Sequence, residues 1–76
     1  MKEILETIIT TLVRDKNFVS IKQIDGEQSV IFEVKVADAD MGKVIGKQGV
    51  IAKSIRTIMK AAASKENKRV SVEFLD

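Results

Sequence analysis

The chain is 76 residues long, 45% hydrophobic and 32% charged, with neither Cys nor His. It has room for one domain but not for a deep substrate cavity, and its composition excludes a disulfide framework, a thiolate nucleophile, a Cys/His zinc site and an imidazole base. The net charge of +2 is unevenly spread: residues 41–63 hold five basic residues and no acidic one, while the remainder holds eight basic and eleven acidic. A mildly acidic body therefore carries one basic segment. No apolar run reaches the roughly 20 residues of a membrane span and no signal-peptide core is present, so a soluble, cytoplasmic protein without a membrane partner is expected.

Residues 2–16 place Ile4, Leu5, Ile8, Ile9, Leu12 and Val13 at helical spacing, which predicts an amphipathic helix with one buried stripe. Residues 18–24 are β-prone, Asp25-Gly26 is a turn signal, and residues 29–36 alternate cleanly. Val30, Phe32, Val34 and Val36 share one face, and Ile31, Glu33 and Lys35 the other. A hairpin is expected. Asp38 is the expected N-cap of a short helix over 39–45, with Asp40 near the positive end of its dipole and Met41, Val44 and Ile45 turned inward. A longer helix from Val50 to about Ala63 should bury Ile51, Ile55, Ile58, Met59 and Ala62 and carry Lys53, Arg56 and Lys60 on its other side. Val70, Val72 and Phe74 alternate in a last strand. The order α-β-β-α-α-β predicts an α+β fold. Its three-stranded mixed sheet has the second strand central, the second and third parallel through a right-handed crossover, and three helices covering one face.

Three of the four glycines fall between Asp38 and Ile55. Gly46-Lys47-Gln48-Gly49 is expected to be a tight turn between two helices. A Walker A loop fails on spacing, because three residues rather than four separate Gly42 from Gly46 and Lys47 is followed by Gln48. A Rossmann fingerprint fails because no Gly-x-Gly opening follows a strand.

Val44-Ile45-Gly46-Lys47-Gln48-Gly49, followed by Ile51 and Ile55, resembles the hydrophobic-Ile-Gly-x-x-Gly-x-x-Ile signature of KH RNA-binding domains. The element order resembles the type II KH fold over the whole chain, which is also similar in length to the small single-KH proteins of bacteria. The resemblance implies a grip on about four nucleotides of single-stranded RNA by the backbone, with bases on an apolar groove floor. It also implies homodimers and association with a larger KH-containing RNA-binding protein.

The chemistry of such a site follows from its residues. Two helix ends meeting at glycines leave backbone N–H groups at the start of the second helix free, and its dipole adds partial positive charge. Gly46 and Gly49 allow close approach, Lys47 supplies a cation and Gln48 a neutral hydrogen-bonding group. Lys43, Val50, Lys53 and Arg56 are further candidates at the turn and on the basic stripe. Val44, Ile45 and Ile51, with residues of the central strand, are candidates for the groove floor and equally for plain core. Phe18, Phe32 and Phe74 are the only aromatics, too few for a base-stacking platform. About three to five phosphate contacts would give a salt slope of about −2 to −3.5, which is weak binding for one copy. No cofactor or metal is called for. No nucleophile, base and orienting group converge, so an enzyme is not expected, and helix capping accounts for Asp38 and Asp40. The expected role is an RNA chaperone or post-transcriptional regulator. The alternative is a protein-interaction or dimerisation scaffold in which RNA contact is incidental.

Overall fold

The computed structural model describes residues 1–75. Helix α1 spans Lys2–Leu12, strands β1 and β2 span Ser20–Asp25 and Ser29–Lys35, helices α2 and α3 span Met41–Ile45 and Val50–Ser64, and strand β3 spans Arg69–Leu75. The sheet order is β1-β2-β3, with β1 antiparallel and β2 parallel to their respective partners β2 and β3. The expected fold class, central strand and parallel pairing are all present, and the arrangement is that of a type II KH domain.

Register explains which face is covered. Val30 pairs with Val70, Phe32 with Val72 and Val34 with Phe74, so alternate residues of β2 and β3 point together into the helices. Val30, Phe32, Val34 and Val72 are buried there with Leu5 and Ile9 of α1, Val44 of α2, and Ile55 and Met59 of α3. The opposite sheet face carries no helix. Lys22, Glu33 and Glu73 lie side by side across it, and such mixed charge suits solvent rather than a nucleic acid.

Three local features differ from expectation. Helix α1 ends at Leu12 rather than 16: Val13 remains in the hydrophobic phase and is buried, but its backbone is already extended at φ −85°, ψ 153°. Asp38 accepts no capping N–H on its side chain; a turn of tight helix over Asp38–Asp40 precedes a shorter α2. The buried face of α3 is Ala52, Ile55, Met59 and Ala63, so Ile58, expected inside, is 46% exposed. Small alanines carry little hydropathic weight, so the isoleucines pull a sequence-based estimate of the face off its true centre. Helix α3 itself has the expected span, ending at Ser64, and closes with Asn67 in a left-handed conformation, its neighbour Lys68 returning an N–H to the Ala63 carbonyl at 3.0 Å. Among the described residues no helix is long and apolar enough to cross a membrane.

Candidate nucleic-acid interface

The turn between α2 and α3 is built from backbone conformations that side chains resist. Gly46 donates its N–H to the Gly42 carbonyl at 2.8 Å, ending α2, and then adopts φ 76°, ψ 173°. That region is essentially restricted to glycine. Gln48 (φ 58°) and Gly49 (φ 77°) are both left-handed, and the Gly49 N–H closes the turn on the Gly46 carbonyl at 3.1 Å. The two glycines differ in their surroundings. A Cβ on Gly46 would lie 2.6 Å from Ile51 Cγ1, whereas a Cβ on Gly49 would meet nothing within 4 Å. Ile51 therefore packs against the bare Gly46 backbone and fixes how α3 leaves the turn.

This geometry exposes Lys47 and Gln48 and leaves the start of α3 open. No side chain caps the helix at Gly49; the Val50 N–H is given to the Lys47 carbonyl, and the N–H groups that follow it lie at the positive end of the dipole of a 15-residue helix. Val50 is 55% exposed beside them. An anion placed there would meet backbone donors, a dipole and one mobile ammonium together.

The remaining candidates divide into three groups. Lys53 is exposed on α3, one turn from the loop. Ile45 and Ile51 are half-buried and border the loop, but Val44 is fully buried and serves the core. The central strand offers no floor either, since Val30, Phe32 and Val34 are fully buried. A shallow cleft of about 130 Å³ lies between α3 and the edge strand β3, lined by Arg56, Lys60, Val70, Ser71 and Val72. Edge strands keep one row of backbone groups free. Arg56 uses one of them, donating Nε to the Val72 carbonyl at 3.1 Å with its guanidinium 5.6 Å from the Phe74 ring centroid. Phe32 is buried and Phe74 lies half-buried under Arg56, while the exposed Phe18 sits on the α1–β1 connection, away from the loop in sequence.

The third group centres on Asp40, which capping had been expected to explain. It is 2% exposed, accepts the Asp15 N–H on Oδ2 at 2.9 Å, and pairs through Oδ1 with Lys43 Nζ at 3.2 Å. The Asp15 N–H holds its carboxyl below the usual range, assisted by the Arg14 N–H and Lys43 and opposed by burial. No sequence signal separates this latch from a cap, because its backbone partner lies 25 residues away.

Comparison with known proteins agrees with this geometry. The family model for the KhpA/KhpB KH domain matches residues 2–74. The chain is 61% identical over 75 residues to the RNA-binding protein KhpA of Clostridium acetobutylicum, covering 99% of this chain and 100% of that one. It is 56% identical to the protein of that name from Caldanaerobacter subterraneus subsp. tengcongensis, with the same coverage, and 45% identical to that of Aquifex aeolicus over 100% of this chain and 96% of the relative. No solved structure matches at a significant level. With its glycine turn, sheet order and nearly full-length similarity in agreement, the chain belongs to the KhpA/KhpB family of KH domains.

Proposed function

We propose that this protein binds single-stranded RNA through the Gly46–Gly49 turn and acts in the cytoplasm as an RNA chaperone or post-transcriptional regulator. The uncapped start of α3 behind two positive-φ glycines, with Lys47 exposed beside it, is the observation that carries the reading. The relatives are named RNA-binding proteins, and the family is one of RNA binders rather than enzymes. On this reading the phosphates sit at the loop and the bases lie toward the α3–β3 cleft. RNA binding by the Lys47→Asp, Gln48→Asp double variant tests it: a folded variant that binds as tightly as the wild type refutes the loop mechanism.

A single loop makes few contacts, so two copies joined together would bind RNA far better than one. The solvent side of α3 supports a second copy as the occupant. Val50, Ser54, Thr57, Ile58 and Ala61 are exposed there without a charge among them. The Ser54 and Thr57 hydroxyls are already spent on the Val50 and Lys53 carbonyls, each at 3.0 Å. Such a surface suits helix-on-helix packing, and the same face would serve a larger KH-containing RNA-binding partner. It also favours the second reading, a dimerisation scaffold with incidental RNA contact, which an RNA affinity indifferent to salt would support. Ile58→Lys is expected to sediment as a monomer with unchanged circular dichroism. Wild type that sediments as a monomer at the same concentration, or a variant that still dimerises, removes α3 from the interface.

A further inference from the structure

We infer that Asp40 is a positioning residue for RNA contact: its buried carboxylate clamps the start of α2 to the turn after α1 and holds the Lys43 ammonium at the end of α2 remote from the loop, so that Lys43 adds no charge to the phosphate site. The inference rests on the reading of Gly46–Gly49 as the phosphate-gripping turn.

Sequence position alone would count Lys43 among the phosphate ligands, three residues before Gly46. The geometry opposes this. Helical side chains lean toward the N-terminus of their helix, and Lys43 follows that lean to reach Asp40 Oδ1 at 3.2 Å. Helix α2 has five residues, about 7.5 Å of rise. The anion site lies beyond its other end.

Energetics point the same way. The groups facing the Asp40 carboxylate are the backbone N–H groups of Asp15 and Arg14 and the Lys43 ammonium. The Arg14 residue, Ala37 and Ala39 line the adjoining pocket. Moving Lys43 to a phosphate would leave a buried carboxylate without its counter-charge in exchange for a surface pair that salt screens. The segment from Asp15 to Asp40 is thereby fastened at the root of the helix that leads into the loop.

Charge bookkeeping distinguishes this from a merely structural role. The measurement is the affinity of a labelled short oligouridylate by fluorescence anisotropy between about 50 and about 200 mM salt, where each phosphate contact on a single strand is worth about 0.7 in the slope of log K against log salt. Lys47→Met is expected to flatten the slope by about 0.7, and Lys43→Met to leave it unchanged. Asp40→Asn keeps an oxygen for the Asp15 N–H but releases Lys43, so the slope should steepen by about 0.7, a further 2–3-fold, approximately, across that salt range. If Lys43→Met flattens the slope as Lys47→Met does, or a folded Asp40→Asn leaves it unchanged, the Asp40 inference is overturned while the loop reading stands. Should Asp40→Asn fail to fold, Lys43→Met alone decides. A Lys47→Met slope equal to wild type overturns the loop reading and the inference with it.

Discussion

Gly46→Ala is expected to destabilise the protein by about 2–4 kcal/mol, lowering its melting temperature by roughly 10–25 °C, whereas Gly49→Ala should cost only about 1 kcal/mol. The two glycines occupy the same motif and share nearly the same φ, 76° and 77°. Gly46, however, has ψ 173°, outside the small left-handed region that other residues can visit, while Gly49 at ψ 14° lies within it. The new methyl at 46 would also press on Ile51 at 2.6 Å from Cγ1 and 3.0 Å from both Cβ and Cδ1. Ile51 is packed against the core and cannot swing away freely. At position 49 the methyl points into open space. For a domain of this size, with total stability on the order of 4–11 kcal/mol, the first change removes a large share and the second a small one. Thermal melts followed by circular dichroism decide it; equal melting temperatures for the two variants would contradict the packing of Ile51 on Gly46.

Lys47→Asp with Gln48→Asp should lower RNA affinity by about 10–100-fold at low salt, or about 1.4–2.8 kcal/mol, without unfolding the protein. Both side chains are exposed and neither packs in the core, so their removal opens no cavity. Position 48 has φ 58°, a conformation in which Asp is more at ease than Gln, so the turn gains rather than loses backbone compatibility. The pair of changes replaces one cation by two anions at the mouth of the α3 N-terminus. Repulsion of phosphate is then added to the loss of a contact. A melting temperature within a few degrees of wild type, measured with the affinity, separates a local electrostatic effect from damage to the fold. Undiminished binding by such a variant would move the RNA site elsewhere on the surface.

The architecture was legible because it follows from short-range periodicity. The alternation of Val30, Phe32 and Val34 specified a half-buried strand, and the spacing of Leu5, Ile9, Ile55 and Met59 specified helices with one buried side. The loop was legible because two glycines flanking two polar residues between apolar helices leave few backbone solutions. What escaped depends on neighbours distant in sequence. Asp40 looks like a helix-start residue until the Asp15 N–H arrives from the end of α1. The inward residues of the central strand, Val30, Phe32 and Val34, are covered by the helices, and only the sheet order shows that β3, beside α3, is an edge strand. Arg56 belonged to a basic stripe in the sequence; in the fold it reaches across to the Val72 carbonyl and the Phe74 ring, which sets it apart from the freely exposed Lys53. Hydrophobic spacing also placed Ile58 inside, whereas Ala52 and Ala63 define the true inner face.

The α3 N-terminus as the anchor for phosphate is the central claim, and backbone amide chemical shifts in a titration of the labelled protein with a short unstructured single-stranded RNA test it most directly. The largest changes are predicted at residues 46–53, with smaller ones along Arg56, Lys60 and the free edge of β3. Changes concentrated on the bare sheet face around Lys22, Glu33 and Glu73, with the amides of the Gly46–Gly49 turn unmoved, would contradict the account.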